Sequence, residues 1–170
     1  QCTRIFVSRT ISASLSVRSK TPMKPQSPIS FDICICTFRR DSVRSLIESI
    51  NQQDGLDECV VRIVVADNDD TPSALPTIDA LRRSTQIEIH YVHAPARNIS
   101  IARNACLDAA SADWIIFIDD DETVSKGWLK AFSRAVQSET AEIYLGEVDA
   151  IYPDTAPEWA RINDFHSTKA

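Results

Sequence analysis

The sequence predicts an α/β fold, a mostly parallel sheet with helices on both faces. Three observations carry that prediction. Short apolar-rich runs, Trp114 to Ile118 unbroken, read as strands, stretches with apolar residues at helical spacing separate them, and charged residues follow the strands directly. A first strand is expected over residues 31–37, where Phe31, Ile33 and Ile35 alternate with Asp32, Cys34 and Cys36 before Thr37. Asp41 or Ser42 can then cap a helix in which Val43, Leu46, Ile47 and Ile50 recur at helical spacing, and Asp54-Gly55 should end it. Val60 to Ala66 is a second buried strand. A proline-bracketed loop and a short helix around Ile78 to Arg83 lead to a third strand, Ile87 to Val92. Ser100 opens a helix to about Ala110, Trp114 to Ile118 is a fourth strand, and Trp128, Leu129, Phe132 and Val136 mark another amphipathic helix. Glu142 to Tyr152 reads as a fifth strand. Repeated strand–helix–strand units connect parallel neighbours by crossovers, which places the helices on both faces of the sheet.

The 170 residues suit one domain. Its boundaries fall at 1–28, a basic tail with serines and prolines, and 29–170, the folded body. The tail holds Arg4, Arg9, Arg18, Lys20 and Lys24 with no acid, so the body carries thirteen basic against twenty-four acidic residues. A body that acidic does not suit a general nucleic-acid binder and does suit divalent cations. The tail is expected to stand outside the fold, as disordered chain or as translated sequence upstream of a start at Met23, the sole methionine. An organellar transit peptide is the other reading of its basic, acid-free composition. The five cysteines, Cys2, Cys34, Cys36, Cys59 and Cys106, lack zinc-like spacing; free thiols in a reducing, cytoplasmic compartment are expected. No apolar run is long enough to span a membrane.

The densest chemistry follows the fourth strand. Asp119, Asp120, Asp121 and Glu122 emerge together behind the apolar residues 114–118. Clustered carboxylates repel one another unless hydrated or neutralised, and hard oxygen ligands suit magnesium or manganese. In a parallel sheet every segment that follows a strand lands on one edge, where open α/β folds place their ligands. That edge would collect Thr37, Arg39 and Arg40, then Asp67, Asn68, Asp69 and Asp70, then the loop 94–98, and finally the acids. Arginines would take phosphate oxygens, and carboxylates would take ribose hydroxyls, a base N–H or a metal. The glycines are too few and too scattered for a glycine-rich phosphate loop. His90 and His93 read as strand and loop residues, Trp128 as core.

Thr37-Phe38-Arg39-Arg40, Val65-Ala66-Asp67-Asn68-Asp69, the stretch Asn98 to Asn104 with Arg103, and Ile118-Asp119-Asp120-Asp121-Glu122 follow the motif order of glycosyltransferase family 2. The resemblance covers about residues 31–150 and lies in order and spacing across four motifs. It implies a GT-A-like, Rossmann-like nucleotide-binding half, and transfer of a sugar from a nucleotide diphosphate sugar, usually with inversion. The same resemblance implies Mn2+ or Mg2+ at Asp121, with Asp119 and Asp120 toward the ribose. Asp67 would accept from a uracil N–H, Arg103 would face the diphosphate, and Thr37, Arg39 and Asn68 would complete the nucleotide site. A UDP-sugar donor and a saccharide or lipid-linked acceptor in polysaccharide synthesis are the implied partners, at the inner face of a membrane if regions beyond this sequence attach there. The chain departs from the family in having Ser100 where its loop usually has glycine. The family's catalytic base is an acid well downstream of the metal motif; Asp154, Glu158 and Asp164 lack its expected setting, so the base is expected beyond Ala170. The same acids also satisfy the first motif of haloacid dehalogenase-type magnesium phosphatases, with Asp119 as nucleophile and Asp121 as acid/base. A non-catalytic nucleotide-binding module is the third reading.

Overall fold

The computed structural model describes residues 5–9, 28–137, 141–165 and 167. In chain order the elements are β1 (Ile5–Arg9), β2 (Ser30–Thr37), α1 (Ser42–Asn51), β3 (Val60–Asp67), α2 (Leu75–Arg82) and β4 (Glu88–His93). These are followed by α3 (Ile99–Ala109), β5 (Trp114–Asp119), α4 (Trp128–Gln137), β6 (Ile143–Leu145) and α5 (Glu158–Asn163). One six-stranded sheet runs in the order β4-β3-β2-β5-β1-β6. Its four strands β4, β3, β2 and β5 are parallel, as the alternating pattern requires.

Each face of β2 meets a different helix layer because successive side chains alternate. Phe31, Ile33 and Ile35 join the large core with Val43, Leu46, Ile47 and Ile50 of α1, Ile78 and Leu81 of α2, and Trp128, Leu129 and Phe132 of α4. The α1 residues are completely buried, and each such aliphatic side chain contributes roughly 1.5–3 kcal/mol. On the opposite face Cys34, Val64, Ala66 and Ile115 pack against Ala102 and Cys106 of α3. Cys34, Cys36, Cys59 and Cys106 are free thiols. Cys2 lies outside the described residues. The smaller residues of this second layer let α3 lie close to the sheet, and its start falls beside the strand ends.

Three expectations change. The tail does not stand wholly outside the fold: Ile5–Arg9 pairs antiparallel with β5, Ile5 opposite Ile118 and Arg9 opposite Trp114, and its other side pairs with β6. The short run Ile5-Phe6-Val7 has strand propensity, and β5 otherwise offers an unpaired edge there. The rest of the tail, Met23 included, lies outside the described residues. The fifth strand shrinks from 142–152 to Ile143–Leu145, where its ladder on the short β1 is three register pairs long. Asp41 stands at the start of α1 but makes no side-chain cap bond. Among the described residues no helix is long and apolar enough to cross a membrane.

Candidate nucleotide-binding site

Parallel registration brings the strand ends level: Thr37 lies opposite Asp67, Asp67 opposite His93, and Cys36 opposite Asp119. The loops beyond them are tied sideways by backbone. Asn68 N–H donates to the Thr37 carbonyl at 2.9 Å, Arg97 N–H to the Asn68 carbonyl at 3.2 Å, and Ala94 N–H to the Asp67 carbonyl at 2.8 Å. The Asn68 side-chain oxygen accepts from Asn98 N–H at 3.1 Å. Asn98 in turn caps α3, its Oδ1 accepting from Ser100 N–H at 2.9 Å. The helix therefore begins one residue earlier than expected.

A cleft of about 530 Å³ opens on this edge, in the size range of small-molecule sites. Thr37 and Phe38 line it from β2, Asn68 from β3, Arg97 from the loop after β4, Ile99 and Arg103 from α3, and Asp119, Asp120 and Asp121 from β5, with Arg40 between them. Asp120 is nearly buried. Its Oδ2 accepts from Thr37 Oγ1 at 2.8 Å, and burial pushes its carboxyl pKa up against that hydrogen bond and the nearby Arg40. Arg40 Nη1 reaches Asp120 Oδ1 at 3.2 Å and Asp121 Oδ2 at 2.5 Å. Its hydrogen bond to Asp121 and the charge of Asp120 hold the guanidinium pKa above its ordinary value. Arg103 Nη2 stands 3.5 Å from Asp119 Oδ1. Glu122 turns away from the cleft: buried, its Oε2 accepts from Asp119 N–H at 3.2 Å and closes the turn that presents the three aspartates.

Fold and cleft geometry agree with a match over most of the chain: residues 32–169 fit the model of Glycosyl transferase family 2. The chain belongs to glycosyl transferase family 2. Among family relatives, succinoglycan biosynthesis protein ExoM of Rhizobium meliloti (strain 1021) is 42% identical over 144 residues, 85% of this chain and 47% of that protein. Poly(ribitol-phosphate) beta-N-acetylglucosaminyltransferase TarS of Staphylococcus aureus (strain MW2) is 20% identical over 145 residues, 79% of this chain and 25% of that protein. The chain thus spans no more than about half the length of these relatives. The crystal structure of S. aureus TarS 1-349 in complex with UDP-GlcNAc superposes with a TM-score of 0.56 at 20% identity, over 65% of this chain and 32% of that one. Its complex with UDP gives 0.52 at 21% identity, over the same shares. These structures share the GT-A-like fold. Family membership also decides against the phosphatase motif, which rested on the four acids alone.

Within this family frame, the structure sorts the expected site residues. Thr37, Asn68, Arg103, Asp119, Asp120 and Asp121 meet at the cleft. Asp67 and Arg39 do not. Asp67 is completely buried: its Oδ1 accepts from Asp69 N–H at 3.1 Å, and its Oδ2 from Ala74 N–H and Tyr91 Oη, both at 2.8 Å. Three donors and no exposed surface make it the anchor of the β3–α2 loop. Arg39, in the left-handed region at φ 54°, turns instead to Asp69. Its Nε lies 2.9 Å from Oδ2 and its Nη2 2.8 Å from Oδ1. This two-nitrogen pair holds the Asp69 carboxyl down at about 2 and staples two loops together. The sequence placed Arg40 and the loop holding Arg97 on this edge without assigning either arginine a role of its own. Arg97, at φ 46°, pairs with Asp70 while lining the cleft. None of Asp154, Glu158 and Asp164 lines it.

Among the described residues no three His, Cys, Asp or Glu side chains converge as a metal site. Asp121 nevertheless fits a hard cation. It is about half exposed on the cleft, and the Arg40 guanidinium already stands on it as an internal positive charge. One or two carboxylates suffice for magnesium when substrate phosphates supply further oxygens.

Proposed function

We propose that this chain is the donor-binding part of an inverting glycosyltransferase that takes a nucleoside diphosphate sugar, UDP-linked, and passes the sugar to a saccharide or lipid-linked acceptor in polysaccharide synthesis. The observation that carries this reading is the cleft itself, where three aspartates from one strand end face Arg40, Arg97 and Arg103 beside the start of α3. A diphosphate needs cationic side chains and a helix N-terminus; a ribose and a metal need carboxylates. The TarS complexes with UDP-GlcNAc and UDP, and the name of ExoM, favour that donor and that setting.

In this reading Asp121 holds the Mn2+ or Mg2+, with Asp119 and Asp120 on the ribose side. When bound, the divalent ion supplies charge neutralisation for the departing diphosphate. Arg103 adds positive charge on the same side as the leaving group, from a helix whose first turn already favours anions. Thr37 keeps the buried Asp120 in place through its 2.8 Å hydrogen bond. Asn68 positions the start of α3 and lines the cleft on the nucleoside side.

Calorimetric titration of the full chain with UDP, with and without Mn2+, tests the reading. Mn2+-dependent UDP binding that inorganic phosphate cannot replace is the expected result. Binding of phosphate with Mg2+ regardless of nucleotide, or no binding by a folded chain, would overturn it.

A further inference from the structure

Among the Arg–Asp contacts at the sheet ends, two use a pair of guanidinium nitrogens on one carboxylate. Arg39 engages Asp69 through Nε and Nη2, and Arg62 engages Asp32 through Nε and Nη2, each at 2.8 Å. Arg40 differs. It spreads one nitrogen, Nη1, over two different carboxylates, Asp120 and Asp121. The fork that matches a pair of oxygens on one group goes unused there. Arg40 and Asp121 are also each about half exposed, so water can compete for the contact and exchange is inexpensive. Asp121 is the carboxylate assigned above to the divalent ion. A guanidinium 2.5 Å from its Oδ2 repels an ion brought to the same carboxylate.

We propose that Arg40 is a tethered counter-cation that occupies the Asp120–Asp121 pair until a nucleoside diphosphate arrives with its divalent ion, and that it then moves onto the diphosphate. This inference rests on the donor-binding reading and adds an order of events to it. Without nucleotide the chain offers the ion fewer than three converging side chains among the described residues, and Arg40 blocks the best of them. The diphosphate changes both conditions at once. Its oxygens complete the coordination shell, and they give the displaced guanidinium a two-oxygen partner suited to its fork. The acids therefore stay neutralised in both states, by an arginine in one and by the metal in the other. An ion that can bind only when Arg40 is away has its affinity reduced by the fraction of time the site is open.

The test is a set of Mn2+ titrations, read by calorimetry and by the paramagnetic resonance signal of the free ion, on wild type, Arg40→Ala and Arg40→Lys. Thermal melts confirm that each variant is folded. Wild type should bind Mn2+ weakly alone and tightly with UDP. Arg40→Ala should strengthen binding of Mn2+ alone by about tenfold and weaken UDP–Mn2+ by about tenfold. Arg40→Lys, which keeps the charge, should restore the weak Mn2+ binding of wild type. An Arg40→Ala variant with Mn2+ affinity equal to wild type overturns the inference, as does tight Mn2+ binding by wild type without UDP. Either result would leave the donor-binding reading standing if wild type still binds UDP with Mn2+; loss of that binding in wild type overturns the reading itself.

Discussion

The two edges of the parallel sheet use the same pair of residues to opposite ends. At the N-terminal edge Asp32 is buried and takes four donors: Arg62 Nε and Nη2 at 2.8 Å each, Ser111 N–H at 2.6 Å and Ala112 N–H at 2.9 Å. Burial would raise its pKa, but Arg62 and the two backbone donors outweigh it and the carboxyl ends below its ordinary value. Arg62 also donates to the Ala109 carbonyl at 3.0 Å, so the ion pair clamps the start of the α3–β5 connection. At the C-terminal edge, beside the two-nitrogen Arg39–Asp69 staple, Arg40, Arg97 and Arg103 are each about half exposed and meet their aspartates through a single nitrogen. A saturated, buried pair fixes architecture; an exposed and undersatisfied one can trade partners with a ligand.

Substitutions at the two edges should therefore fail differently. The largest effect is expected from Asp32→Ala, which strands Arg62 against the sheet and should cost about 3 kcal/mol; urea unfolding measures it, and a loss below about 1 kcal/mol would mean the clamp is not structural. Asp121→Ala should lower Mn2+-dependent UDP affinity by about a hundredfold, or ~2.7 kcal/mol, with its melting temperature close to wild type. Unfolding of that variant would place Asp121 with Asp32 instead. Arg103→Ala should weaken UDP by about tenfold and leave uridine nearly unchanged; equal losses for both ligands would remove it from the phosphate side.

The smallest effect is a pH dependence. Asp32 and Asp69 both have folded-state pKa values below their unfolded ones, Asp69 at about 2. The stability they contribute is present in full above about pH 4 and declines as pH falls through the folded values. Urea midpoints should be flat from neutrality to about pH 5 and fall below pH 4, less steeply in Asp32→Asn. An unchanged slope in that variant would assign acid sensitivity to other carboxylates.

Most of the body was legible because burial writes itself into the sequence with a period. The four apolar runs could hardly be anything but strands, and Val43, Leu46, Ile47 and Ile50 predict a buried helix face that the structure places against β2. The edge followed from topology, since parallel strands must deliver their following residues to one side. Choices within a motif were not legible. Arg39 and Arg40 are chemically identical neighbours, and only the left-handed backbone at Arg39 sends one to Asp69 and leaves the other over Asp120 and Asp121. Asp67 and Asn68 both read as nucleotide-site residues, yet only Asn68 lines the cleft while the Asp67 carboxylate is taken up by loop donors. The β1 strand was hidden by its surroundings: five residues inside a basic, acid-free segment, with partners more than a hundred residues away.

Asn68 carries a final consequence. With its backbone tied to Thr37 and Arg97 and its side chain to Asn98, it makes the ends of β2, β3 and α3 one mechanical unit. Thermal motion that would open any one of these loops must drag the other two. A ligand entering the cleft thus meets walls whose relative positions are set before it arrives, and it loses little affinity to ordering them.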